Sequence, residues 1–454
     1  MPAIERDLLP RSLTALHYQA IKGEPILLPA AAMGICVGML AGGFNSVAGS
    51  LEGCLIACLL ALVAINLSPP SPTFWRRTAG PFLCIGAAFL WASLPLLLPG
   101  IPTLAPDLLP AGLLGLCGYG LILLAGCHLG YRRASVALLV DWLLACGAAI
   151  LVVGLLSTHD GDSLSWGGWQ PDAEGRFLGT LRNANVTGAY AGGLAVLALG
   201  RATMVNLRSG GTAVLRAASY WLVIILALGV CIITASRSAM LLTGGAFAIM
   251  IAFGLHLRIR RRTALTSLFA CAAIGTLLIV ALPNLLVERF ENMVREAHAR
   301  LGLWQRCVEL VKQAPFHGYG LGSFPILNAR SLPDAQAAQE FWTVNSAHNI
   351  FLQLAIDGGL PFLLLSLLAA ALIVRPIVKR VRARGTSMMM LSIMLSIAIM
   401  VGNACVDIAL DVPATILWTL FLAGLVWGYH LARGPLPVSR TQGVPSEHER
   451  PVEG

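Results

Sequence analysis

Three arginines and one histidine are the residues of this chain best suited to do chemistry. Arg182 in LGTLRNANVTGAY, Arg237 in IITASRSAMLL and Arg306 in LWQRCVELV carry planar guanidiniums, which can grip two phosphate oxygens at once. His348 in NSAHNIFLQLAIDGG has a side chain whose unperturbed pKa of about 6.5 suits it to accept a proton near neutral pH. Arg237 is the most demanding of the four: it lies in a very short turn between apolar runs, where a cation is expensive and usually paired or functional. The set points to a lipid-linked phosphate.

Each residue also has a plainer alternative. Arg237 could snorkel to the interface or pair with Asp407 or Asp411, Arg182 could be an ordinary interface anchor, and His348 an interfacial hydrogen-bonder. Asn183 and Asn185 place amides beside Arg182; Asn185, Val186 and Thr187 also match a glycosylation acceptor, but at the start of an apolar span. Asp160 and Asp162 could hold a divalent cation, although a hard cation wants more oxygen ligands and two loop aspartates are more often solvated. The glycine run HGYGLGSF follows a helix and a proline rather than a strand, so it is not read as a nucleotide loop.

The elements that must position these groups are membrane spans. The chain is 57% hydrophobic and 12% charged, with mean hydropathy +0.77, far from a soluble balance. Apolar runs able to cross about 30 Å of hydrocarbon recur at 25–42, 47–67, 80–99, 109–129, 134–157, 184–200, 216–234, 238–256, 263–282, 348–374, 386–409 and 413–431. We read an all-α polytopic membrane protein of about twelve transmembrane helices. With the N-terminus inside, 22 of the 31 Lys and Arg fall on the inner side and nine outside, as the bias of cationic loops toward the cytoplasm requires. Arg182, Arg237, Arg306 and His348 are then all at the outer face, and both termini are cytoplasmic. The first apolar run lacks a cleavage site, so it is read as a retained span.

Ten of the eleven cysteines lie within spans and only Cys307 in an outer segment, which implies no disulfide framework. The net charge of +9 is explained by a cytoplasmic rim meeting anionic membrane lipids, so no nucleic acid is invoked. The expected organisation is helices 1–9 with their loops over 1–282, a folded, largely helical outer loop domain over 283–347, helices 10–12 over 348–431, and a disordered cytoplasmic tail over 432–454. Within the loop, Phe290, Met293, Val294, Ala297, Leu301, Trp304, Val308 and Val311 recur mostly at threes and fours, predicting an amphipathic helix with Arg295 and Arg306 on its other face. Pro315 should end that helix, and Gly318, Gly320 and Gly322 should make a turn. Residues 10–22 could form a short helix on the inner membrane surface.

Taken together, the SRSAML turn, the segment LWQRCVELVKQAPFHGYGLGSF and SAHNIFLQLAIDGG resemble the O-antigen ligase and polymerase superfamily. The ligase pattern of Arg, three residues, Leu is met by Arg237 and Leu241, and its His-Asn followed by glycine by His348, Asn349 and Gly359; Phe362 stands where Gly, Thr or Tyr is common. The resemblance implies a twelve-span glycosyltransferase of the bacterial inner membrane that works at the periplasmic face on undecaprenyl-diphosphate-linked glycans, without nucleotide sugars, cofactor or metal. On that reading Arg182, Arg237 and Arg306 surround the donor diphosphate, His348 is the general base, and Asn349, Asn185 and Trp304 support them. Direct displacement with one base and no carboxylate nucleophile predicts inversion.

The expected function is transfer of O-antigen polysaccharide to a lipid A-core sugar hydroxyl. Alternatives are an O-antigen polymerase or a protein O-oligosaccharyltransferase using the same donor, and, from another class, a polytopic transporter. Twofold symmetry and paired broken helices would favour the transporter, and the sequence shows neither.

Overall fold

The computed structural model describes residues 27–432 except 41, 45, 99, 102, 134, 161–162, 169, 171, 173–174, 207–209, 257–292, 336–338 and 340, and at a few positions, Asp160 and Arg295 among them, the backbone alone. The helices are α1 (Leu27–Leu40), α2 (Val47–Leu67), α3 (Pro72–Leu97), α4 (Leu109–Tyr131), α5 (Val136–Leu156), α6 (Ala184–Ala202), α7 (Gly211–Ile233) and α8 (Arg237–His256). They continue with α9 (Met293–Gln313), α10 (Phe324–Ser331), α11 (Ile350–Arg384), α12 (Met388–Ala404) and α13 (Pro413–Leu431). Among the described residues, eight helices are long and apolar enough to cross a membrane, which makes this a multi-pass membrane protein. The run expected at 263–282, the segment 10–22, Asp162 and the tail lie outside the described residues.

One departure from an all-α reading is a small hairpin after α5. Strand β1 (Ser157–Asp160) pairs antiparallel with β2 (Ser163–Trp166), in register Ser157 to Trp166. Two span boundaries also move. α12 ends at Ala404 rather than 409, which puts Asp407 in a loop over 405–412. α11 runs 35 residues, but Gly359 breaks it with φ 74 and ψ −178, separating a short leading helix from the long apolar remainder.

Close helix contact explains the many small residues. Cβ atoms placed on Gly126 and Gly130 of α4 would strike the backbone of α13, and on Gly424 and Gly428 of α13 the backbone of α4. These two facing small-xxx-small pairs bring the backbones together, the packing that substitutes for a hydrophobic driving force in lipid. α6 is buried along nearly its whole length, with Gly188, Gly192, Gly193 and Gly200 seated on Ser and Thr side chains of neighbouring segments. It is a central post rather than a lipid-facing span. At the opposite end of the bundle from His348, Arg77, Arg133 and Arg380 donate to carbonyls of residues 429–432, satisfying the end of α13.

Candidate active site

Three helices at the His348 end begin in the same way, with a non-glycine residue in the left-handed region followed by a capping side chain. Arg182 (φ 55) precedes Asn183, whose Oδ1 accepts the Asn185 and Val186 N–H groups at 2.9 and 3.1 Å. Ala235 (φ 48) precedes Ser236, whose Oγ accepts the Ala239 N–H at 3.5 Å. His348 (φ 50) precedes Asn349, whose Oδ1 accepts the Phe351 and Leu352 N–H groups at 3.0 and 3.2 Å. Asn and Ser are preferred caps because a short polar side chain meets the unpaired N–H groups. A left-handed L residue costs about 1–2 kcal/mol, and such strain collects at functional sites. Arg182 and His348 thus project from just outside helix starts, where the partial positive charge suits an anion.

The loop over 405–412 ties these starts together. Asp407 is almost completely buried, with 1% of its side chain exposed. Its Oδ2 accepts from Arg300 Nη2 on α9 at 2.8 Å and from Asn185 Nδ2 on α6 at 2.7 Å; its Oδ1 accepts the Ile408 N–H at 2.9 Å. His348 Nδ1 stands 3.5 Å from Oδ1, within ion-pair range and just short of a hydrogen bond. Such contacts are often long in the resting state and tighten with substrate. The carboxylate therefore faces one ring nitrogen and leaves Nε2 for the reacting proton. At the start of that loop, the Cys405 carbonyl accepts from Asn349 Nδ2, and in the last turn of α12 Asn403 Nδ2 donates to Ser238 Oγ, one residue past Arg237.

Electrostatics separate the loop's two carboxyls. Burial pushes Asp407 up, but His348, Arg300 and the Ile408 N–H together outweigh it and hold the group below the ordinary carboxylate range. Asp411 is pushed above that range by burial, with Asp407 adding repulsion and Ser346 and His348 opposing it. The Cys307 thiol is pushed up to about 11, chiefly by burial, so it is not a thiolate nucleophile at neutral pH.

The structure brings His348 and Asn185 together through Asp407 and holds each predicted arginine by a different element. Arg182 lies over Gly42, just past α1: a Cβ there would stand 3.4 Å from the guanidinium Nε. Arg237 is the first residue of α8. Arg306 donates to Asn328 Oδ1 at 2.9 Å and stacks on Phe341, 4.6 Å from its ring centre, while Asn328 donates to the Phe341 and Val344 carbonyls. The Trp304 indole nitrogen is buried, whereas Trp342 is largely exposed. Pro315 follows the end of α9, and Gly318, Gly320 and Gly322 all have positive φ.

Sequence reasoning missed Arg300 and underrated Asp407. Both left a signal. Arg300 continues the buried stripe Leu303, Cys307 and Leu310 at helical spacing, so it had to face something polar inside. Asp407, weighed only as a structural partner of Arg237, is held by Arg300 and Asn185 instead.

Residues 222–367 match a family model described as O-antigen ligase, a segment that contains Arg237, Arg300, Arg306 and His348. No curated protein matches the chain.

Proposed function

We propose, from a membrane chain whose residues 222–367 match an O-antigen ligase family model, that it transfers O-antigen polysaccharide from undecaprenyl diphosphate to a sugar hydroxyl of lipid A-core at the periplasmic face of the bacterial inner membrane. The observation that carries this reading is the His348–Asp407 pair, fixed by Arg300 and Asn185 where α6, α9 and α11 meet. The acceptor oxygen attacks the anomeric carbon, the bond from that carbon to the diphosphate oxygen breaks, and the hydroxyl proton passes to His348 Nε2. Asp407 stabilises the resulting imidazolium and keeps the ring oriented, the logic of a carboxylate behind a histidine base.

The diphosphate departs as a stabilised anion, so the protein supplies positive charge rather than an acid. Arg182, Arg237 and Arg306 are assigned that task, aided by the helix starts of α6, α8 and α11. One displacement with no carboxylate nucleophile inverts the anomeric centre. No step draws on a metal or cofactor.

The test is transfer from a labelled lipid-linked glycan to each of three acceptors: lipid A-core, a polymer repeat and protein. We expect lipid A-core to be glycosylated and His348→Ala to lower the rate by about 10²- to 10⁴-fold, with Asp407→Asn also slow and donor binding intact in both. Replacing one of the three arginines by Ala should cost about 10²- to 10³-fold. Normal transfer by folded His348→Ala protein would falsify the base assignment, and glycosylation of the repeat or of protein alone would turn the reading to polymerase or oligosaccharyltransferase.

A further inference from the structure

At the end of the bundle opposite His348, arginines from three separate segments close on the last residues of α13. Arg77 of α3 donates to the Leu431 carbonyl at 2.6 Å, and Arg133, in the connection after α4, to those of Tyr429 and Ala432 at 3.1 and 2.7 Å. Arg380 of α11 donates to those of His430 and Ala432 at 3.3 and 2.8 Å. Arg133 and Arg380 thus share one carbonyl oxygen, which holds two cations side by side. A helix C-terminus carries only about half a negative charge. Three full cations exceed what capping calls for, and exposed Arg76 and Lys379 adjoin Arg77 and Arg380 in the chain.

No carboxylate of the neighbouring connections offsets that excess. Segments 68–79, 130–136, 203–211 and 375–387, which join helices at this end, contain no Asp or Glu. Asp141 is held through both oxygens by Arg201, at 2.7 and 2.8 Å. Beyond Ala432 the sequence brings Glu447, Glu449 and Glu453, but Arg433, Arg440 and Arg450 match them in number. On the lipid side, Trp75 and Val378, each two residues before one of the capping arginines, are exposed. An indole so placed marks the level of lipid headgroups, and basic pockets between spanning helices at that level hold anionic lipid headgroups.

We propose that this cluster is a binding site for the phosphate of an anionic phospholipid. Arg76 and Lys379 contact the phosphate from the exposed side, and the summed charge of Arg77, Arg133 and Arg380 behind them holds it. The acyl chains run along α3 and α11, so the bound lipid ties both helices to the end of α13. It differs from the general attraction of a basic rim because one headgroup meets charges from separate segments. The site lies far from the proposed glycan transfer and does not depend on it.

The experiment follows thermal unfolding of the full chain in neutral detergent, titrated with phosphatidylglycerol, phosphatidylcholine or inorganic phosphate. Phosphatidylglycerol should raise the melting temperature in a saturable way and the other two should not. Arg76→Gln and Lys379→Gln should each raise the midpoint of that titration about fivefold, the worth of one cation at an anionic lipid surface. Both side chains are exposed, so the lipid-free melting temperature should stay unchanged and report a folded protein. Arg216→Gln, which removes an exposed charge of α7 at the same end, should leave the midpoint alone. An equal shift with Arg216→Gln, or an equal gain from phosphatidylcholine, would show a diffuse or nonspecific effect and overturn the site. An equal gain from inorganic phosphate would assign the cluster to a free anion instead of a lipid. Deleting residues 435–454 should change neither value; a lower lipid-free melting temperature with a larger lipid gain would give the cluster to the chain's own acidic tail and overturn the proposal.

Discussion

Two carboxyls on one short loop meet opposite fates, and the difference lies in what each is bonded to. Asp407 is surrounded by an arginine, an amide and a histidine, so its buried charge is compensated. Asp411 is partly buried with less compensation, and its raised folded-state pKa means the native protein is favoured while that group holds its proton. Its contribution is full below the unfolded value of about 3.9 and is lost as pH rises through the folded value. Asp411→Asn should therefore raise the melting temperature at neutral pH and change it little near pH 4, as scanning fluorimetry at the two pH values will show. A variant equally stabilised at both would place the effect elsewhere. Asp407 has the reverse sign: its depressed folded pKa stabilises the native protein above the ordinary carboxylate range and is lost only as pH falls below it.

At the scale of elements, the break in α11 sets the site's position. A straight helix of 35 residues would extend about 52 Å at 1.5 Å per residue, well beyond the hydrocarbon. At Gly359 the chain changes course, and the freed backbone groups are met by the turn after α9: Tyr319 N–H donates to the Ile356 carbonyl, Gly320 N–H to that of Asp357, and Leu360 N–H to that of Pro315. Trp91 Nε1 closes the break by donating to the Gly358 carbonyl at 2.9 Å. A Cβ on Gly359 would collide with the Phe316 carbonyl oxygen. We expect Gly359→Ala to destabilise the protein by about 1–3 kcal/mol from backbone conformation alone, with the collision adding to it. The same variant should lose transfer activity together with thermal stability; a variant of normal stability would show that the break is not required.

For the whole molecule, the distribution of charge gives an expected orientation. The end opposite His348 carries Arg77, Arg133, Arg201 and Arg380, and from the bias of cationic loops we expect it in the cytoplasm. In cells, a membrane-impermeant maleimide should therefore label Trp342→Cys from the outer side and leave Arg382→Cys unlabelled; the reverse pattern would invert the topology and remove the periplasmic site. Much of this architecture was legible in one dimension. Apolar run length located the helices, because crossing hydrocarbon demands a fixed number of apolar residues, and Arg237, Arg306 and His348 stood out because charge and imidazole at a membrane edge are costly or useful. Helix ends were read less well: the run from 386 to 409 hid a loop, since Cys405, Val406 and Ile408 are as apolar as the helix before them. The partnership of Asp407 with His348, Arg300 and Asn185 joins segments 59, 107 and 222 residues apart along the chain, and no periodicity records it. Spacing along a chain encodes what each helix buries; which side chains meet across helices is decided only when backbones pack closely enough, through paired glycines and broken helices, for their ends to converge.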